Sequence, residues 1–269
     1  MRLLLSMMIF SWLLVGCGES TNTTTETETT TEEAQAEPAQ APAKKYTITA
    51  FSPSQAYPDA AIESVSYKDG KFNFKLKDGE YKLGNQTPDA EQKMCANSGK
   101  GQHIHLIAND SPYAAKYTNE FEHELPDGEH YLLAFLSRSY HESIKETAAS
   151  YAKQVTIANK SFAGEKDITN PMLFYSRPKG TYVGETATKK VMLDFYLVNT
   201  TLGTDYKIKA DINGEEHMLD KWQPYYIEGL PMGENTVTLT LVDKDGNKVD
   251  APLNPVSRTF TLKADEVEG

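Results

Sequence analysis

His103-Ile104-His105 sets two imidazoles two residues apart, and in an extended chain residues i and i+2 share one face. Imidazole is the commonest metal ligand, and its ordinary pKa lies near neutrality. His123, His130 and His141 follow, so five of the six histidines fall between residues 103 and 141. Cys95 stands eight residues before His103 and adds a thiol suited to copper or zinc. A metal reading therefore takes His103, His105, His123 and Cys95 as ligands of a copper or zinc ion. Their spacing matches none of the common metal-ligand motifs.

The same region carries the parts of an anion site. Asn97-Ser-Gly-Lys-Gly-Gln102 is glycine-rich, and successive amides in such loops form anion nests. Leu136 to Lys145 sets Arg138, His141 and Lys145 beside Ser137, Ser139 and Ser143 at an expected helix start, where anions are favoured. Arginine adds bidentate contacts to phosphate. This reading gives an anionic ligand, foremost a phosphorylated peptide, held by His103, His105, His123, His130, His141, Arg138, Lys145 and Lys100. A further basic cluster is Ser176-Arg-Pro-Lys-Gly180. A third reading is structural, in which buried imidazoles hydrogen-bond carbonyls and one another.

Catalytic motifs are lacking. The chain has no Gly-x-Ser-x-Gly elbow, no His-Glu-x-x-His and no Walker loop, since Ser98-Gly-Lys-Gly101 lacks the required spacing. The sequence reads as a binding protein rather than an enzyme, with no cofactor beyond the alternative copper or zinc.

The elements that hold these residues come in two related copies. Leu125-Pro-Asp-Gly-Glu-His130 matches Leu230-Pro-Met-Gly-Glu-Asn235 at an offset of 105 residues. Leu132, Ala134 and Leu136 then fall on Val237, Leu239 and Leu241, and Ile107 falls on Ile212. An insertion around residues 85–102 distinguishes the first copy. Short alternating runs such as Val191–Val198, with Asp-Gly turns at Asp69, Asp78 and Asp245, predict an all-β fold of two immunoglobulin-like sandwiches. The first spans residues 45–165 and the second 166–265. One short helix is expected in the first, from about His141 to Lys153, with Ser143 and Glu146 at capping-box spacing.

The copies act as controls for each other. At the offset of 105, His103 and His105 stand where Ile208 and Ala210 alternate with charged residues, so both are expected in the core of the first sandwich. Tyr131, Leu133 and Phe135 replace Thr236, Thr238 and Thr240, while Ile104 and Leu106 replace Lys209 and Asp211. These strands are apolar on both faces, so their second face needs a cover. The insertion, the helix or the second sandwich could supply it.

Lys93-Met-Cys-Ala-Asn-Ser98, Gly101-Gln-His-Ile-His105, Phe135–Lys145 and Phe174–Tyr182 resemble a family of cell-envelope lipoproteins from Bacteroidota-type bacteria. The resemblance covers about residues 46–262. Some members are described as phosphopeptide-binding proteins, so the resemblance implies a binding role. It assigns no individual residue.

The first residues agree with an envelope address. Arg2 precedes an apolar run, Leu3–Val15, that is too short to span a membrane. Leu14-Val-Gly-Cys17 resembles a lipobox, which implies removal of residues 1–16 and lipidation of Cys17. Several acyl chains on one cysteine give stable anchoring. Residues 17–44 are rich in Thr and Glu and read as a disordered tether. The partners expected are thus the membrane, through Cys17, and an anionic ligand. The net charge of −11 argues against a nucleic-acid partner.

Overall fold

The computed structural model describes residues 45–265; the signal segment, Cys17 and the tether lie outside them. The strands, in chain order, are β1 (Thr47–Ala50), β2 (Ile62–Lys68), β3 (Lys71–Leu76), β4 (His103–Ala108), β5 (Ala114–Lys116) and β6 (Glu120–Glu122). They continue with β7 (Gly128–Ser137), β8 (Ser150–Ala158), β9 (Ser161–Asp167), β10 (Met172–Arg177), β11 (Gly180–Val183) and β12 (Val191–Val198). The last are β13 (Tyr206–Ile212), β14 (Glu215–Leu219), β15 (Tyr225–Glu228), β16 (Gly233–Asp243) and β17 (Val256–Lys263). A single α-helical turn and a half, α1, covers Glu185–Lys189. No helix among the described residues is long and apolar enough to cross a membrane.

The fold is all-β, with two immunoglobulin- or fibronectin-like sandwiches. In the first, the sheet β2-β3-β6 faces the sheet β5-β4-β7-β8-β9. Phe72, Phe74 and Tyr67 from one sheet meet Ile104, Leu106, Leu132, Ala134 and Leu136 from the other. In the second, β1-β15-β12-β10 faces β11-β17-β16-β13-β14. Its core joins Leu193, Phe195 and Ile227 to Ile208, Ala210, Leu239 and Phe260. The first strand of the body is thus not part of the first sandwich: β1 pairs with β15, Ile48 opposite Ile227.

Local chemistry explains the turns. Asp69 and Gly70 both have positive φ, at 52° and 80°, as the Asp-Gly turn between β2 and β3 requires. Lys244 to Asn247 likewise reverses the chain after β16, closed by a bridge from Val242 to Lys248. Asp78-Gly79 instead lies in a loop and joins no pair of strands.

The ladders correct the expected faces. Ile104 pairs with Leu136 across β4 and β7, and Ile208 pairs with Leu241 across β13 and β16. Leu136 and Leu241 are 105 residues apart, but Ile104 and Ile208 are 104 apart. A one-residue slip turns every side chain of a strand to the other face. Ile104 and Leu106 therefore fill the core of the first sandwich. His103, His105 and Ile107 look outward.

The second sandwich covers that outward face. Ile107, Leu133 and Phe135 pack against Met172, Phe174 and Tyr196. Phe135 stacks on Tyr196 at 5.4 Å, and Tyr196 meets Trp222 edge-on at 5.0 Å. The insertion closes one side, with Cys95 and Ala90 packed against Tyr140, Met192 and Tyr226.

The helix expected from His141 to Lys153 is not formed. A tight turn joins Arg138 to Glu142, and His141 adopts a left-handed backbone at φ 72° that a helix start excludes. The Ser143 amide donates to Asp194 instead of opening a helix, and Ser150 already begins β8. What remains is one 3-10 turn, Thr147–Ala149.

Candidate metal centre

β4 carries His103 and His105 on its outward face, at the seam between the sandwiches, and neither is exposed to solvent. The turn after β7 brings His141 to them. Its left-handed backbone is uncommon for a non-glycine residue, and such conformations concentrate at functional sites. His103 Nε2 lies 2.9 Å from His105 Nε2 and 3.1 Å from His141 Nδ1. One ring nitrogen from each histidine lies within 4.8 Å of the other two.

The carbonyl of Gly101 fixes the protonation of His103. It can only accept, and it lies 2.8 Å from His103 Nδ1, so that nitrogen holds the proton. His103 Nε2 then turns a lone pair toward the other two rings. Histidines that bind metals are oriented by such outer hydrogen bonds. His105 Nδ1 has a weaker partner in Ser176 Oγ, 3.4 Å away.

All three rings are neutral near pH 7. Burial depresses the pKa of His103 to about 4, with the charges of Arg177 and Lys179 adding to it and the Gly101 hydrogen bond opposing it. Burial also holds His105 and His141 well below the ordinary range; in both, a neighbouring imidazole and Arg177 push the same way. Neutral imidazole is the ligating form.

These nitrogens fit a metal ion. Tetrahedral ligation at about 2.0–2.1 Å separates ligand nitrogens by about 3.3–3.4 Å. The two separations from His103 Nε2, 2.9 and 3.1 Å, fall a few tenths of an ångström short of that value, and the whole group lies within 4.8 Å. No carboxylate belongs to the group.

The surroundings are aromatic and cationic. Tyr113 stacks flat on His105, with centroids 3.6 Å apart, and its Oη lies 3.4 Å from His141 Nδ1. Arg177 Nη1 donates to that Oη at 2.8 Å. Lys179 Nζ sits 4.0 Å from the centre of the Tyr113 ring. Burial pushes the Tyr113 phenol up to about 12. Tyr117 covers His103, with ring centroids 4.9 Å apart, and is tied to the glycine-rich loop through Ser98 Oγ.

The other residues expected at a site lie elsewhere. Cys95 is buried in the separate cluster beside Tyr140, and burial pushes its thiol up to about 12. His123 and His130 line a cleft of about 300 Å³ near Ala108, at the far end of β4 from His103. His130 uses both ring nitrogens there: Nδ1 accepts from Asn109 at 3.0 Å, and Nε2 donates to the Pro126 carbonyl at 2.8 Å.

The cations are similarly engaged. Arg138 donates twice to the Gln55 carbonyl and lies 3.6 Å from Glu142. Lys145 reaches the buried Asp194 at 2.8 Å, across to the second sandwich. Lys100 is exposed, its Nζ 5.6 Å from the Tyr117 ring centre. Of the residues expected to hold an anion, His103, His105 and His141 come together, His123 and His130 lie apart, and the presumed helix start is a turn.

Of the histidines named from the sequence, His141 is the one that stands beside His103 and His105, and His123 and Cys95 do not. One feature went unread in the sequence. Tyr113 carried no pattern of its own; only the basic Ser176–Gly180 cluster beside it stood out.

No protein-family model matches the chain, and no curated protein does. Among solved structures, fibronectin(III)-like modules of Clostridium thermocellum CbhA share 14% identity over 35% of this chain and 100% of theirs, with a TM-score of 0.28. A Ca2+-stabilized adhesin with which an Antarctic bacterium binds ice shares 12% identity over 84% of this chain, which spans 50% of that chain, at a TM-score of 0.23. The Bacteroides ovatus mixed-linkage glucan utilization locus SGBP-B, solved with a mixed-linkage heptasaccharide, shares 10% identity over 81% of this chain and 71% of its own, at a TM-score of 0.22. None of these likenesses reaches the chemistry of the histidine triad.

Proposed function

We propose that this protein is a non-enzymatic metal-binding module of the cell envelope, tethered by lipid at Cys17, that holds copper or zinc through His103, His105 and His141. One observation carries the reading: three neutral imidazoles converge at a buried seam, and the Gly101 carbonyl sets the tautomer of one of them. Arg138 and Lys145, which an anionic peptide would need, are committed to Gln55, Glu142 and Asp194.

The test is metal content and affinity of the full chain, purified in detergent. One equivalent of copper or zinc per chain is expected after supplementation. His141→Asn keeps a residue that tolerates positive φ while removing a ligand. We expect it to fold normally and to weaken binding by about 100-fold or more, beyond the usual effect of losing an outer-shell partner. Stoichiometric metal bound equally well by His141→Asn would overturn the assignment.

A further inference from the structure

Donor number and charge together select the ion. Among the described residues, no cysteine or carboxylate joins His103, His105 and His141. Tyr113 cannot serve as a fourth ligand. It stacks flat on His105, with planes 6° apart and centroids 3.6 Å apart, so its oxygen stands out of the imidazole plane in which a metal on His105 must lie. Tyr117 covers His103, and both of these histidines are closed to solvent. The protein thus offers three neutral nitrogens. Structural zinc takes four ligands, and copper(II) prefers a square or tetragonal set. Copper(I), with a filled d shell, is satisfied by three.

Charge points the same way. Arg177 is buried, and its guanidinium donates to two neutral phenols, Tyr113 and Tyr182. Lys179 Nζ donates to the Tyr113 carbonyl at 2.8 Å. Among the described residues, neither cation forms an ion pair with a carboxylate. Any metal ion entering the triad is repelled by both, and the Coulomb energy rises in proportion to its charge. A divalent ion meets twice the repulsion that a monovalent one does, in a buried site where unbalanced charge is costly. We propose that the triad selects copper(I) over copper(II) and zinc(II), and that Arg177 and Lys179 are the charges that set this specificity. This rests on the metal reading of the triad. Copper enters already reduced, so no electron is transferred at the site and no protein group loses a proton.

The probe is copper(I), supplied to the full chain without oxygen from a chromogenic cuprous chelator that reports what the protein takes up. Zinc(II) and copper(II) are titrated in parallel. Copper(I) is expected to bind at one per chain, about 100-fold or more tighter than zinc(II). X-ray absorption at the copper edge should show three nitrogen neighbours. Lys179→Gln removes one charge at a half-buried position. It should tighten copper(I) about threefold and zinc(II) about tenfold, the square of that factor, as the doubled ionic charge requires. Lys179→Arg keeps the charge and should keep the wild-type ratio. Zinc(II) or copper(II) bound as tightly as copper(I), or four neighbours at the copper edge, overturns the selection and leaves the triad standing. Both of these readings need only the wild type, whether or not the variants fold. A folded Lys179→Gln variant that tightens both ions equally overturns the role of the charges. A wild type that takes up none of the three ions overturns the triad itself, and the selection with it.

Discussion

His130 shows how one residue type serves two purposes in one strand pair. In the second sandwich, Asn213 donates to Asn235 at 2.8 Å and accepts from the Thr236 amide, while Asn235 donates to the Pro231 carbonyl. The first sandwich repeats this lock: Asn109 meets His130, accepts from the Tyr131 amide, and His130 donates to Pro126. Asn109 and Asn213 even share a left-handed backbone, at φ 54° and 50°. His130 therefore pins a turn, and asparagine is its natural replacement. His130→Asn should leave stability nearly unchanged. His130→Ala should cost about 0.5–1.5 kcal/mol, the usual net worth of a hydrogen bond, since the partners left behind reach solvent. Urea midpoints would show this, and copper or zinc uptake should match the wild type in both variants. Lost metal uptake in a folded His130→Asn variant would return this histidine to the site. Composition alone could not make the distinction, because a histidine count carries no information on which ring nitrogens are already engaged.

At the scale of elements, much of the architecture was legible and the faces were not. The repeated Leu-Pro-x-Gly-Glu turn and the period-two runs are local, and they led directly to two sandwiches. The offset of the repeat is not local: one residue fewer separates Ile104 from Ile208 than Leu136 from Leu241, and β-strand geometry converts that slip into an inversion. The expected helix failed for a related reason, since the Ile144 amide found the Leu136 carbonyl and Ser143 found Asp194, neither visible from spacing. The His103–His105 pair was legible because i and i+2 always share a face, whichever face it is. The glycine-rich loop that leads into β4 now has a specific task. Gly101 has φ 80°, and a Cβ there would sit 2.5 Å from the Asn85 carbonyl oxygen and in collision with that of Gly84. The same residue offers its carbonyl to His103 Nδ1. Gly101→Ala should displace the loop, lower stability and impair metal binding. Gly99, by contrast, has open space around its Cβ position, and Gly99→Ala should bind metal normally. The pair of variants, compared by thermal unfolding and metal titration, separates loop geometry from loop composition.

The seam between the sandwiches is where the whole molecule enters the argument. β4 supplies two imidazoles and the turn after β7 a third, while Ser176, Arg177 and Lys179 arrive from β10 and the turn beyond it. Each sandwich alone would hold only part of this set. Docking depends on the apolar outer face of β4 and β7 and on Asp194, which is fully buried and bonded to both Lys145 and the Ser143 amide. Tyr196 tests this dependence without touching the triad, since it stacks on Phe135 on one side and meets Trp222 on the other. Truncating a large buried aromatic typically costs about 3–5 kcal/mol. Tyr196→Ala should destabilise the protein by that order and weaken metal binding as well, because the histidines lose the surface that shields them. Trp222 lies at the seam, so its fluorescence reports docking while circular dichroism reports the strands. In the wild type the two signals should fall together in urea, as expected if neither sandwich is stable apart. In Tyr196→Ala the fluorescence change should come first, and metal release should follow the fluorescence rather than the strands. Metal retained after the Trp222 signal has gone would place the site within the first sandwich alone and remove the second from its construction.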